Sequence, residues 1–175
     1  EGDVSGDSPV DAGKAAVTVQ GDHDAAIELD GANELKSSSH NAGLEKNDER
    51  SEDGKTISGK LTIKDDNDTK GSLTAEGGEG GAGIGDGAGA WSEIDPDAPS
   101  SNPNHIIISG DAEVEAKAGA STGGKTAAIG GGIVGEIPND ALSDDDHKVT
   151  GGSLTRYDPD GKKMEDYSYD RRTPS

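Results

Sequence analysis

Residues 119–126 read GASTGGKT, letter for letter the P-loop spacing of glycine, four residues, glycine, lysine and threonine. In that motif the amides at the start of a helix and the Lys side chain hold phosphate, while the hydroxyl reaches Mg²⁺. The chemistry needs a buried strand before the loop and a helix after it. After Thr126 the chain reads AAIGGGIVGEIP, with Gly130, Gly131, Gly132 and Gly135, and so many glycines do not make a stable helix. No second apolar run ending in a magnesium-binding Asp follows. Nucleotide binding is therefore not expected, and Lys125 is expected in a turn or short strand. Gly78, Gly80 and Gly83 match the dinucleotide fingerprint and fail it for the same lack of a helix.

Carboxylates are the next chemistry on offer. Asp65, Asp66 and Asp68 lie within DDNDTKG, Asp144, Asp145 and Asp146 are consecutive, and Asp158 and Asp160 precede Gly161. Loops rich in oxygen are what Ca²⁺ requires. None of the three has the EF-hand spacing, and Asp and Asn also suit turns by bonding their own backbone. The expectation is no cofactor, with solvated turns at all three clusters. Ca²⁺ at Asp65, Asp66 and Asp68, or at Asp158 and Asp160, is the alternative. Of the four histidines (His23, His40, His105 and His147), His105 and His147 each stand just before an apolar run and are expected to stack on one another. No nucleophile–base constellation is visible, so no catalytic residue is assigned.

Aromatic side chains are the usual platform for a sugar ring, because one face of the ring is apolar. The chain has one Trp, three Tyr and no Phe. Trp91, Tyr157, Tyr167 and Tyr169 are the candidate ligand-binding residues. The tyrosines belong to a C-terminal segment, RYDPDGKKMEDYSYDRR, that could equally cap a stack of repeats.

The elements that position these groups must be built from little apolar material. Leu, Ile, Val and Phe total 25 of 175 residues, about one in seven. With a net charge of −20, such a composition ordinarily means disorder. The charge excludes nucleic acid as a partner and disfavours anionic membranes. There is no Cys, so no disulfide or thiolate metal site, and the longest apolar runs are too short to span a bilayer.

Internal repetition resolves the conflict. Runs alternating with period two, the strand signal, occur at 16–19 (AVTV), 26–29 (AIEL), 60–63 (KLTI), 71–76 (GSLTAE), 105–108 (HIII), 112–118 (AEVEAKA), 147–150 (HKVT) and 152–157 (GSLTRY). Ile63 lies 45 residues before Ile108, and Ile84 lies 45 residues before Ile129. Both copies run strand, polar turn, strand, then a Gly-rich stretch. A further copy begins at KVTGGSLTRYDPDG (148–161). A shorter one, IELDGANELKSSSHNAGLEK (27–46), puts Leu44 in the place of Ile84. A fixed period of this length is the signature of a solenoid, in which stacking buries what one repeat cannot bury alone. The fold class expected is all-β, a single-stranded parallel β-helix of about four coils. Its flexible N-terminal segment is 1–13, the coils occupy 14–161 with inserts at 88–104 and 133–146, and 162–175 is a cap or flexible segment. Stacking is expected to bring like charges of adjacent repeats close together.

The segment LTIKDDNDTKGSLTAEGGEGGAGIGDG (61–87) resembles the Gly-rich β-helix regions of large bacterial secreted and surface proteins often described as containing a carbohydrate-binding domain. LDGANELKSSSHNAGLEK resembles the entry coil of that family. The resemblance covers about 27–157, some three quarters of the chain, and GGAGIG is its most specific part. The heavy Asp and Glu load and ASTGGKTAAIGGG depart from the family pattern. The resemblance implies sugar binding but supplies no defined site residues.

These readings converge on a non-enzymatic module of a secreted or surface protein, acting in adhesion, spacing or glycan binding. It would carry further domains in a larger chain, a glycan or other cell-surface ligand as partner, and no insertion into a membrane. A polysaccharide lyase or hydrolase of the β-helix class and an acidic Ca²⁺-binding module are the alternatives. A basic residue facing two or three carboxylates in a groove would favour the enzyme. A Trp or Tyr on a flat exposed face would favour binding.

Overall fold

The computed structural model describes residues 15–20, 23–46, 59–88, 106–121, 126–130 and 147–164. Trp91, Tyr167, Tyr169, His105, Lys125, Asp144, Asp145 and Asp146 lie outside them. So do 1–13, nearly all of the insert 88–104, all of 133–146, and the end of 162–175.

The described residues are all-β, with no helix. Their strands are β1 (Val17–Thr18), β2 (Ala25–Glu28), β3 (Ala32–Lys36), β4 (Leu44–Glu45), β5 (Leu61–Asp65), β6 (Ser72–Glu76), β7 (Ile84–Gly85), β8 (Ile106–Gly110), β9 (Glu113–Lys117), β10 (Ile129–Gly130), β11 (His147–Val149) and β12 (Ser153–Tyr157). They form three four-stranded sheets in the orders β1-β4-β7-β10, β2-β5-β8-β11 and β3-β6-β9-β12. Every pairing within them is parallel. Each inner strand thus bonds to the strand three places earlier and to the one three places later. Consecutive strands in the chain never pair with each other.

The register is the one that the repeated Ile residues require. Ile63 pairs with Ile108, and Ile84 pairs with both Leu44 and Ile129. Alternate residues turn inward. Leu61, Ile63, Ile84, Ile108, Ile129, Leu44 and Val114 are almost completely buried, joined by Ala75 and Ala116. Burying one such branched side chain is worth about 1.5–3 kcal/mol relative to leaving it exposed. A column of one or two per strand, repeated through the stack, answers how so few apolar residues make a core.

Three points of the sequence reading are corrected. The Gly-rich stretches hold more than the sequence reading gave them, because each ends in a two-residue strand, and β1, β4, β7 and β10 together make a sheet of their own. His147 lies within β11 opposite Ile106 rather than before the strand, and His105, its expected stacking partner, lies outside the described residues. Like charges do not stack on the paired strands. Glu28 pairs with Lys64, Glu34 with Thr74 and Thr74 with Glu115, while Glu76 pairs with both Lys36 and Lys117.

Glycine allows the approach at the corner that follows β6 and β9. A Cβ on Gly78 would run into the Ser38 carbonyl, and one on Gly119 into that of Gly78. At the last repeat the chain folds back, with Tyr157 in an antiparallel bridge to Lys163 and the Met164 N–H donating to the Arg156 carbonyl at 2.9 Å.

Candidate functional site: an acidic groove across three repeats

The turn from the second sheet to the third differs between repeats. It is short after β2, β8 and β11 but holds six residues, 66–71, after β5. The longer turn stands out from the stack. Its overhang leaves a groove of about 520 Å³ lined by Asp65, Asn67, Asp68, Lys70, Asp111, Glu113, Gly152 and Ser153. Three successive repeats contribute to it.

Local bonds hold the projecting turn. The Glu28 carboxylate accepts from the Asp66 N–H at 2.7 Å and from the Asn67 amide at 3.2 Å. Asn67 also donates to the Leu29 carbonyl and accepts from the Thr69 N–H. The Asp66 N–H, with Lys64 3.2 Å away, holds the Glu28 carboxyl below its usual range despite some desolvation. Lys64 also reaches Asp66 at 2.9 Å, and its hydrogen bonds to Asp66 and Glu28 hold its proton more tightly than usual. The turn is therefore tied to the repeat below it, and Asp68 and Lys70 line the groove on the other side.

Asp65 is the inward residue at the end of β5 and only 4% exposed. Its Oδ2 accepts from the Gly71 N–H at 2.8 Å, closing the turn, while Oδ1 is buried without a donor among the described residues. Lys70 reaches across the groove to Glu113 at 2.8 Å, and that hydrogen bond raises its pKa. Four carboxylates against one lysine give the groove a strongly negative field, which would draw cations or donors of hydrogen bonds.

The sequence-derived candidates distribute unevenly over this site. Asp65 and Asp68 line the groove. Asp66 turns to Lys64. Among the described residues no three Asp, Glu or His side chains converge on a point that a metal ion could occupy. Asp158 accepts from the N–H groups of Asp160 and Lys162 through one carboxylate oxygen, at 3.0 and 2.8 Å, which is the bonding of a turn. Tyr157 is half-buried and pairs with Lys117, four residues along β9 from Glu113, so roughly 13 Å of strand separates it from the groove. Thr126, the last residue of GASTGGKT, is buried and donates its hydroxyl to the Gly119 carbonyl. Residues 126–130 lead into β10, not a helix.

Sequence reasoning missed Asn67, Lys70, Asp111, Glu113, Gly152 and Ser153. The signal was available: aligning 65–72 with 110–113 and 151–153 shows that one repeat carries extra residues at a single turn, where the overhang forms. No family model, no curated protein and no solved structure matches this chain. The resemblance carried by GGAGIG therefore rests on those residues alone.

Proposed function

We propose that the chain is a non-enzymatic module, a single-stranded parallel β-helix of about four coils, in a secreted or surface-attached protein that acts in adhesion, spacing or glycan binding. The observation that carries the reading is the strand order, in which three parallel sheets advance together by one repeat at a time. A stack of this kind is a stiff rod whose side turns can vary without disturbing its core. The overhang at 66–71 is such a variation, and its groove offers carboxylates, an amide and a hydroxyl to the hydroxyl groups of a glycan. A glycan array run with and without Ca²⁺ tests the reading. Binding that is weakened at least tenfold by the pair Asp68→Ala and Asp111→Ala supports the groove as the site. If no glycan binds in either condition, glycan recognition is wrong and spacing remains.

One observation favours a second reading, an enzyme acting on polysaccharides. Lys70 stands with Asp65, Asp68, Asp111 and Glu113 along a single groove. A general base needs a pKa near the working pH, and Glu113 moves Lys70 the other way. Incubation with neutral and acidic polysaccharides, followed by assay of reducing ends and unsaturated products, separates the readings. Turnover lost in Lys70→Ala would replace the first reading with the second.

A further inference from the structure

The groove beside the 66–71 turn has a charge pattern that selects among sugars. Five ionisable side chains line it, and only one of them is basic. That one, Lys70, is engaged by Glu113 at 2.8 Å. Asp68 and Asp111 are exposed, and neither carboxylate has a hydrogen-bond or ion-pair partner among the described residues. Asp65 adds an independent sign. It lines the same groove and is only 4% exposed, and its Oδ1 is the one buried side-chain oxygen or nitrogen among the described residues that no donor reaches. A buried polar atom without a partner costs free energy until something compensates it. An interior charge is also felt more strongly than one in water.

The same geometry disfavours two other ligand classes. A bare Ca²⁺ ion wants about six to eight oxygens around one point, and no three carboxylates converge among the described residues. A neutral sugar ring is usually held on an aromatic face, and no aromatic side chain lines the groove. An ammonium group asks for neither. It carries three hydrogen-bond donors and one positive charge, and it is satisfied by carboxylates taken singly or in pairs.

We infer that the groove recognises a polysaccharide of amino sugars whose amines are free and protonated. Ammonium groups of the ligand would sit on Asp68 and Asp111, reinforced by the charge of Asp65, with the exposed Ser153 hydroxyl left for a hydroxyl of the ring. Asp68 and Asp111 come from adjacent repeats, and paired strands of adjacent repeats lie about 4.8 Å apart. The ligand would therefore run along the stack rather than along a strand. Lys70 competes with it for Glu113. Acetylation of the amines removes their charge, so the acetylated polymer is the natural foil. This ligand class rests on the reading of the groove as a glycan site and narrows it.

Calorimetric titration of the full chain with a β-1,4-linked glucosamine tetramer tests it, in mildly acidic buffer that keeps amines and carboxylates charged. The tetramer should bind. Its fully N-acetylated counterpart, and spermidine, which has amines but no ring, should each bind at least tenfold more weakly. Asp68→Asn with Asp111→Asn keeps the shape of both side chains and should melt within a few degrees of the parent, yet bind the tetramer at least tenfold more weakly. Glu79→Gln with Asp160→Asn removes the same charge from exposed positions outside the groove and should change the affinity less than twofold. Lys70→Gln should tighten binding, because it frees Glu113. Equal binding of the acetylated tetramer would overturn the inference and leave the wider glycan reading standing. Equal binding of spermidine, or an equal loss in the two double variants, would reduce the effect to attraction by the net charge and overturn it too. Silence with both tetramers would also overturn it, and the wider reading would then be decided by the glycan array.

Discussion

At the residue scale, Asp65 and Gly78 show how much one position carries. Asp65 closes a turn through one oxygen and leaves the other buried without a donor among the described residues. Asp65→Ala strands the Gly71 N–H and should cost about 1–3 kcal/mol in chemical denaturation. Asp65→Asn keeps an acceptor for Gly71 and removes the buried charge, so it should be far milder. With no three carboxylates converging on a point among the described residues, millimolar Ca²⁺ should raise the melting temperature no more than Mg²⁺ does at the same ionic strength. A calcium-specific rise lost in Asp65→Asn would make the groove a metal site. Gly78→Ala drives a methyl into the Ser38 carbonyl, and overpacking of that kind costs about 1–3 kcal/mol or more. Gly31 has φ +68 but open space around it, so Gly31→Ala should cost only the backbone term of about 1–2 kcal/mol. If urea titration ranks Gly31→Ala as the worse of the two, the close stacking at that corner is wrong.

At the scale of elements, the third sheet carries an ion ladder. Glu76 on β6 lies 3.2 Å from Lys36 on β3 and 3.1 Å from Lys117 on β9. Partial desolvation raises the Glu76 pKa, but hydrogen bonds from Lys117 and Lys36 outweigh it and hold the carboxyl below its usual range. A carboxyl with a lowered folded pKa contributes stability above its unfolded pKa and loses it as pH falls through the folded one. The parent should therefore exceed Glu76→Gln in stability at pH 7, by a few tenths to about 1 kcal/mol for so exposed a network. The difference should begin to shrink as pH falls through the unfolded Glu value of about 4.3 and be gone once pH is below the lowered folded pKa. A difference that is constant from pH 7 to pH 3 would mean that the ladder contributes nothing through charge.

The same scale shows what the sequence made legible. Eight strands were readable because an apolar residue alternates with polar ones for four residues or more, as in KLTI and AEVEAKA. The Ile63–Ile108 and Ile84–Ile129 pairings followed from recurrence at 45 residues. Strands β4, β7 and β10 are two residues long, too short for any alternation, and only their neighbours' register reveals them as a sheet. Half of the groove was equally hidden. Asp111 and Glu113 look like ordinary turn and strand residues until the repeats are stacked and the turn at 66–71 overhangs them. The acids of the strands were misjudged because composition counts charges but not columns, and in the columns Glu faces Lys, Thr, Ser or Gly rather than another acid.

At the scale of the molecule, 36 acidic residues against 16 basic ones leave a long-range repulsion that the local pairs do not cancel. Pairs about 3 Å apart are screened much less than charges a Debye length apart, roughly 8 Å at 0.15 M salt. Added NaCl should therefore raise the melting temperature, with most of the gain reached by about 0.15 M. A fall in melting temperature over that range would mean that the ion pairs outweigh the net charge.

The stacking of repeats in a single register underlies every part of this account, and because the chain has no Cys it can be tested by engineered disulfides. Thr74 on β6 is paired with Glu115 on β9. Paired strands lie about 4.8 Å apart, within the 4.4–6.8 Å between Cα atoms that a disulfide spans. A partner two residues out of register is about 8 Å away and is not bridged without distortion. Under mild oxidation, Thr74→Cys with Glu115→Cys should close rapidly and nearly completely in the monomer, while Thr74→Cys with Glu113→Cys and Thr74→Cys with Lys117→Cys should stay largely reduced. Equal closure of all three pairs, or preferential closure of a staggered one, would contradict the register and with it the stacked architecture.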